Sequence, residues 1–210
     1  MDLIIIGAGG HGKVVANVAY NSQKYKNIYF LDDNKEIDSI IFGFNVINKI
    51  DFEFIKYKNN SQVEFFIAMG DCQKRYEIQH SLFENNINLA TLIDPFSSIP
   101  KNCKIGIGSI ICPGVILGPD SIIGKGVIIN NSATIDHDSY VGDYVHVCPH
   151  ASLSGSVQIG NKSTIGTGAR VIQNKKVGFN CFIGAGAVVT TDIPDAKKAV
   201  GIPAKVIEDN

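Results

Sequence analysis

From residue 99 to residue 194 an aliphatic side chain recurs at every sixth position. The series is Ile99, Ile105, Ile111, Leu117, Ile123, Ile129, Ile135, Val141, Val147, Leu153, Ile159, Ile165, Val171, Val177, Ile183 and Val189. The next position is usually small or polar (Gly106, Gly118, Gly124, Gly142, Gly160, Gly166, Gly178, Gly184), and the fifth is mostly small or β-branched (Ser109, Ser121, Ala133, Ala151, Ser163, Ala169, Ala187). A period of six matches neither the 3.6 of a helix nor the 2 of an amphipathic strand. It matches a short strand and a tight turn, repeated, which is a parallel β-helix of hexapeptide repeats. Three hexads close one triangular coil of 18 residues. The aliphatic side chains then stack inside at the strand spacing of about 4.8 Å, and glycine relieves crowding at the turns. Sixteen aliphatic residues in sixteen successive places do not arise by chance in a chain that is 45% hydrophobic. The period alone leaves the hand of the coil open; parallel crossovers are normally right-handed.

Upstream the pattern changes. Residues 2–6 are an apolar run that reads as a buried strand, Gly7-Ala8-Gly9-Gly10-His11-Gly12 follows, and residues 13–19 read as a helix. Gly7, Gly9 and Gly12 satisfy G-x-G-x-x-G between strand and helix. Such a turn brings backbone N–H groups close to a phosphate at a helix N-terminus. A second strand, 28–31, ends in Asp32-Asp33, where an acid commonly accepts hydrogen bonds from ribose hydroxyls. A third strand, 63–68, runs into Met69-Gly70-Asp71. A helix over about 73–86 follows, with Tyr76, Ile78, Leu82 and Phe83 on its inner side, and then a strand at 89–93. This is one βαβ half, a half-Rossmann unit in domain 1–94, joined by Asp94-Pro95-Phe96-Ser97-Ser98 to the repeat domain, 95–210. An NAD-dependent enzyme is excluded by size and would leave the hexads without a use. A nucleotide carrying one pyrophosphate and a sugar fits better; the competing view is that the glycines serve only the tight turn.

Composition narrows the classes further. The formal net charge of −1 argues against a nucleic-acid or membrane-surface partner. Five scattered cysteines (Cys72, Cys103, Cys112, Cys148, Cys181) without a Cys-x-x-Cys pair fit reduced thiols in a cytoplasmic protein. The N-terminus lacks a basic leader region, and no apolar run reaches membrane-span length.

One hexad carries candidate chemistry: Ile135-Asp136-His137-Asp138-Ser139-Tyr140. In a regular coil Ile135 points inward and His137 faces outward at a turn. Its neighbours one coil away, 18 positions distant, are Pro119 and Gly155, and Gly155 between Ser154 and Ser156 leaves room beside the imidazole. A histidine next to a carboxylate, with space above it, suits a general base. Asp138 would accept from one ring nitrogen and raise the basicity of the other. The competing view is a solvated surface histidine, and a β-helical binding or scaffold protein is the non-enzymatic alternative. His80 and His150 carry no assignment. Lys175 breaks the small-residue rule at a fifth position, and 173–176 reads as a local bulge. Past the last hexad, Ile193-Pro194-Asp195 is expected to end the coil.

Nearly the whole chain resembles one bacterial family, the sialic-acid O-acetyltransferases and UDP-4-amino-sugar N-acetyltransferases (NeuD- and PglD-like). The resemblance rests on Gly-Ala-Gly-Gly-His-Gly at 7–12, Asp32-Asp33, Ala68-Met69-Gly70, Ile135-Asp136-His137-Asp138, His146 and Gly201-Ile-Pro-Ala-Lys205. It implies a left-handed coil and acetyl transfer from the co-substrate acetyl-coenzyme A, with no metal. It implies His137 as base, oriented by Asp138, where relatives often carry the longer Glu. His146 matches a residue near the thioester. Thr167, Gly184, Ala185 and Lys205 fall along the expected coenzyme A track. Gly9, Gly10, His11, Asp32, Asp33 and Gly70 match the nucleotide-sugar pocket. The expected reaction is N-acetylation of a nucleotide-linked amino-deoxysugar; O-acetylation of a sugar hydroxyl such as that of sialic acid is the alternative.

A triangular prism also cannot cover its own flat faces. Ile107, Pro113, Tyr140, Tyr144 and Phe179 offer outward apolar surface of the kind that marks interfaces. A homotrimer is expected. His146 follows His137 by nine residues, one and a half hexads round the coil, so the two face different ways within one chain. Across a trimer interface, His146 of one chain is expected to approach His137 of its neighbour.

Overall fold

The computed structural model describes residues 1–50 and 57–209. Cα packing divides the chain into two units, Met1–Pro95 and Phe96–Asn210.

The first unit is built on a five-stranded sheet. Strand β1 (Asp2–Ile6) lies between β2 (Asn27–Leu31) and β5 (Val63–Ile67), parallel to both. Leu3 to Ile6 are at most 3% exposed, which explains why this strand reads as a continuous apolar run and not as an alternation. Helix α1 (Gly10–Asn21) buries Val15, Ala16, Val18 and Ala19. Beyond β2 the sheet is extended by a hairpin that the pattern did not predict, β3 (Ile40–Ile41) and β4 (Phe44–Asn48), with β4 parallel to β2. Of the expected strand at 89–93, only Leu92–Ile93 forms a strand, while Leu89 makes a single bridge to Phe65.

Helix α2 (Cys72–Glu84) differs from expectation in its buried face. Arg75, Gln79 and Leu82 are buried, and Phe83 is 61% exposed. The inward stripe therefore starts from a charged residue. The Arg75 guanidinium donates from Nη1 to the carbonyls of Met69 (2.7 Å) and Gly70 (3.0 Å), so it ties the preceding turn to the helix. The Asp71 side chain caps the helix by accepting from the Lys74 N–H at 2.8 Å.

The second unit is a parallel β-helix with three sheet faces. Two-residue strands pair with strands 18 residues on: Ile123 with Val141, Ile129 with Val147, Ile135 with Leu153. From Ile111 to Val189 every sixth side chain is at most 2% exposed, while Ile105 at the open first coil is half-buried. The fifth position turns each corner inward. Ser163, fully buried, donates to the Gly178 carbonyl at 2.7 Å and accepts from the Cys181 N–H at 2.9 Å. A small polar side chain thus satisfies both its own lone pair and the next coil.

Glycine after the aliphatic position relieves crowding between coils, as the repeat predicts. A Cβ on Gly160 would stand 2.4 Å from the Phe179 nitrogen one coil above, whereas positive φ falls at the fourth position, as at Asp138 (57°) and Asn174 (58°). There is no bulge at 173–176: Gln158 pairs with Lys176 in regular register, and a half-buried Lys175 takes the corner. The coil also does not end at Ile193. Ile193 bridges to Val177, and Lys197–Val200 pairs with Phe182–Ile183, with Phe182 opposite Lys198. This last coil is two residues shorter than the others. Lys205–Asp209 then folds back antiparallel on Lys197–Val200. None of the five cysteines forms a disulfide. No helix among the described residues is long and apolar enough to cross a membrane.

Between β3 and β4 the turn is Phe42-Gly43, with φ of 51° and 83°. Both central residues are left-handed, as a two-residue hairpin turn requires, and asparagine is the usual first partner. A left-handed phenylalanine costs about 1–2 kcal/mol, partly offset here by a tilted ring contact with Phe44 at 6.4 Å. Phe42→Asn is therefore expected to stabilise the first unit by about 0.5–1 kcal/mol; a thermal midpoint unchanged or lowered in a melt contradicts the strain.

Candidate active site

His137 sits at the third position of its hexad, where the chain leaves the Thr134–Ile135 strand and turns. The corner is held in place from both neighbouring coils. The Asp138 N–H donates to the Pro119 carbonyl at 3.0 Å, and the Ser156 N–H donates to the His137 carbonyl at 2.8 Å. Asp136 caps the turn locally, accepting from the His137 N–H at 2.8 Å. The left-handed backbone at Asp138 (φ 57°) swings its carboxylate back onto the imidazole, and Oδ2 lies 2.8 Å from His137 Nδ1. The short aspartate arm reaches the ring because of that backbone turn. The imidazole fills the space above it: a Cβ on Gly155 would be 2.6 Å from both Cε1 and Nε2. The room expected beside the ring is thus the seat of the ring itself.

With Nδ1–H donated to Asp138, Nε2 is the basic nitrogen. The hydrogen bond to Asp138, then the charge of Asp136, push the His137 pKa above the ordinary histidine value, with slight opposition from burial. Both carboxylates favour imidazolium, so His137 takes up its proton at higher pH than a free histidine.

On another face His146 opens the two-residue strand His146–Val147 and is half-buried. The Asn131 N–H donates to Asn130 Oδ1 at 2.8 Å, which fixes the amide so that Nδ2 points to His146 Nε2 at 3.3 Å. Nε2 is then the acceptor, and the ring proton of neutral His146 resides on Nδ1. Above it, Thr167 and Ala185 are exposed and one coil apart. Their backbone N–H groups have no acceptor among the described residues. The following glycines, Gly168 and Gly186, have nothing within 4 Å of a Cβ position. This is a ladder of open donors suited to an extended chain bearing amide carbonyls. Gly184 differs: it is buried, its N–H donates to the Ala199 carbonyl at 2.9 Å, and a Cβ would strike Val200. Packing of the last coil accounts for it. Lys205 is exposed at the start of the final strand.

In the first unit the glycines of the turn divide into two kinds. Gly7 has φ 102°, and a Cβ on Gly12 would lie 2.2 Å from the Gly7 carbonyl oxygen; both serve the turn and the close helix–strand approach. Gly9 and Gly10 have nothing within 4 Å of a Cβ position, and the N-cap Gly9 offers α1 no side-chain cap. Those two leave open space at the first turn of α1, next to half-buried His11. The two acids also divide. Asp32, 9% exposed, accepts from the Ala8 N–H (Oδ2, 2.7 Å) and the Asn34 N–H (Oδ1, 2.8 Å). It braces the glycine turn. Asp33 is exposed, accepts from the Ile50 N–H with Oδ1 at 2.8 Å, and has no partner for Oδ2 among the described residues. Gly70 is exposed. Sequence reasoning missed Arg75, which shapes this turn through the Met69 and Gly70 carbonyls; a charged residue at a helix's inward spacing was the available signal. No cluster of metal-binding side chains occurs among the described residues.

Because Asp138 is the main cause of the His137 shift, Asp138→Asn should lower the imidazole titration midpoint, followed by NMR. An unchanged midpoint contradicts the contact.

The sequence model of the PglD N-terminal domain matches residues 2–82, and that of the hexapeptide repeat of succinyl-transferase matches residues 98–131 and 176–195. The acetyltransferase domain of PglB from Neisseria gonorrhoeae FA1090, solved with acetyl coenzyme A, is 38% identical over 98% of each chain, with a TM-score of 0.93. A His-to-Asn variant of perosamine N-acetyltransferase from Caulobacter crescentus, solved with CoA and GDP-perosamine, is 30% identical. That match covers 100% of this chain and 98% of the other, with a TM-score of 0.92. A 44-residue stretch is 48% identical to serine acetyltransferase from Bacillus pumilus, 21% of this chain and 20% of that protein, so curated relatives of this kind are matched over about one fifth of their length. With the half-Rossmann unit, the hexapeptide coil and full-length likeness to sugar acetyltransferases in hand, the chain belongs to the NeuD/PglD-like family of hexapeptide-repeat acetyltransferases.

Proposed function

We propose that the protein transfers the acetyl group of acetyl-coenzyme A to an amino group on a nucleotide-linked amino-deoxysugar. The observation that carries this reading is the likeness along essentially the whole chain to a perosamine N-acetyltransferase solved with CoA and GDP-perosamine. The dyad of His137 and Asp138 supplies the chemistry. The sugar amine attacks the thioester carbon, and His137 Nε2 takes the amine proton as the tetrahedral intermediate forms or collapses. The C–N bond forms, the C–S bond breaks, and the proton on His137 passes to the departing thiolate. Asp138 orients the ring and favours its protonated state. The donor lies along the coil with its amide carbonyls on the Thr167 and Ala185 N–H groups, the thioester near His146 and the far end by Lys205. The nucleotide sugar places its phosphates at Gly9, Gly10 and His11, with Asp33 and Gly70 beside the nucleoside and Asp32 holding the loop.

The protein acts as a homotrimer in the cytoplasm, where acetyl-coenzyme A and nucleotide sugars are made. Ile116 (53% exposed), Tyr140 (44%) and Phe179 (53%) leave apolar surface on the prism, of the sort that assembly covers. Pro113 and Tyr144 are already half-buried in one chain. His137 and His146 stand on different faces of one coil, so the complete site combines His137 of one subunit with His146 of the next.

Coenzyme A release measured across UDP-, GDP- and dTDP-amino sugars, with sialic acid included, is expected to find turnover on an amino sugar. Turnover on sialic acid alone overturns the amine reading. His137→Ala should lower that turnover by about 10²–10⁴-fold, the usual worth of a general base, and near-normal turnover refutes the assignment. Light scattering should give three times the 22.7 kDa chain mass. Exchange of subunits between inactive His137→Ala and inactive His146→Ala preparations should restore part of the activity. A fully active monomer is incompatible with the shared site.

A further inference from the structure

Third positions of the hexads carry side chains almost throughout: Ile107, Pro113, Pro119, Lys125, Asn131, His137, Asp143, Pro149, and onward from Asn161. Gly155 is the single glycine among them, and it falls one coil above His137. Its backbone does not need glycine, because its φ lies outside the left-handed region. Nor does a neighbouring backbone demand it. The three heavy atoms nearest a Cβ at this position are Cε1 (2.6 Å), Nε2 (2.6 Å) and Cδ2 (3.2 Å), all belonging to the His137 imidazole. Gly118, one coil below His137, is different, since its Cβ would meet the His137 backbone nitrogen at 2.3 Å.

We infer that Gly155 is a positioning residue, a seat without a side chain that holds the His137 imidazole against Asp138. The seat cannot retreat. The Ser154 N–H donates to the Val171 carbonyl (3.0 Å), the Ser156 N–H to the His137 carbonyl (2.8 Å), and the Asn174 N–H to the Gly155 carbonyl (3.1 Å). With the backbone tied on three sides, an added methyl group can be relieved only by moving the ring. The ring is the mobile end of a side chain and yields more easily than the coil. Movement away from Gly155 breaks the 2.8 Å contact between Nδ1 and Asp138 Oδ2 and turns Nε2 away from its working direction. Seen this way, the imidazole is held at two places: Asp138 grips Nδ1, and Gly155 carries the opposite edge. The charged groups facing His137 are Asp136 and Asp138 of its own turn; the neighbouring coils contribute Pro119 and Gly155, which do not titrate.

This inference rests on His137 as the base, and the test separates the two. In Gly155→Ala the thermal midpoint should stay near that of the parent chain. The His137 imidazole, titrated by NMR, should fall back toward the ordinary histidine value as Asp138 is lost. The turnover number should drop tenfold or more, with the KM of both substrates nearly unchanged. In a His137→Ala background, Gly155→Ala should have no additional effect on turnover. If Gly155→Ala fails to fold, Gly155→Ala/His137→Ala should recover the fold, because the clash has gone; a double variant that also fails to fold overturns the seat. An unchanged His137 titration in a folded Gly155→Ala overturns it too, whether activity survives or is lost. Full activity in His137→Ala alone would sink the base assignment, while the titration would still report whether the ring sits on Gly155.

Discussion

Everything in the second unit depends on one repeated interaction, the backbone hydrogen bond from each two-residue strand to the strand one coil on. The Gly142 N–H meets the Ile159 carbonyl at 2.8 Å, Gly160 meets Val177 at 2.8 Å, and the same geometry recurs round all three faces. Because these bonds are closed only when aliphatic side chains coincide inside, register and core specify one another. The corners follow from that stacking. A serine such as Ser163 or Ser139 can be buried at a corner because the coil above supplies both an acceptor and a donor. One corner carries a matching ladder of carboxylate and amide acceptors, in which the Lys125 backbone N–H donates to Asp143 Oδ1, the Asp143 backbone N–H to Asn161 Oδ1, and the Phe179 backbone N–H to Asp195 Oδ1. Neighbourhood in this unit is therefore a matter of arithmetic. A residue's closest long-range partners are fixed by counting, and the corner that carries His137 inherits that rigidity.

Counting is also why so much was legible in the sequence. The sixfold series predicted the inward aliphatic column, and the neighbours Pro119 and Gly155 of His137 were found without coordinates. What counting could not supply was conformation within a turn. The reach of Asp138 to Nδ1 comes from a left-handed backbone that several residue types adopt at fourth positions, Tyr144 and Lys162 among them, so no residue type announced it. The role of Gly155 was visible as a gap but not as a filled one. The shortened last coil was hidden because Pro194 looked like a terminator, while the register of Ile193 on Val177 requires only a removal of two residues at a corner.

The first unit was less transparent, for physical reasons that differ between elements. The β1–α1–β2 segment carries strong local signals: an apolar run, a glycine turn, a helix period. The β3–β4 hairpin has a Phe-Gly turn instead of Asn-Gly and strands too short to show alternation. Helix α2 has weak amphipathicity, and its inner stripe begins with Arg75, whose partners are carbonyls of its own turn. Charge at such a place reads as surface until the acceptors are known. The two acids after β2 likewise looked equivalent; only geometry distinguishes Asp32, engaged with the glycine turn, from Asp33, which keeps one oxygen open.

The constant step between coils has an evolutionary consequence. Inserting or deleting a few residues between His137 and Gly155 would slide one away from the other and uncouple every strand downstream. Inserting a whole coil above Gly155 or below Pro119 would leave each pairing around the histidine as it stands. The length of such a protein can therefore change by duplication in quanta of one full turn, while smaller changes survive only where no later coil depends on the count. The last coil, two residues short and folded over by Lys205–Asp209, has no later coil among the described residues that depends on its count.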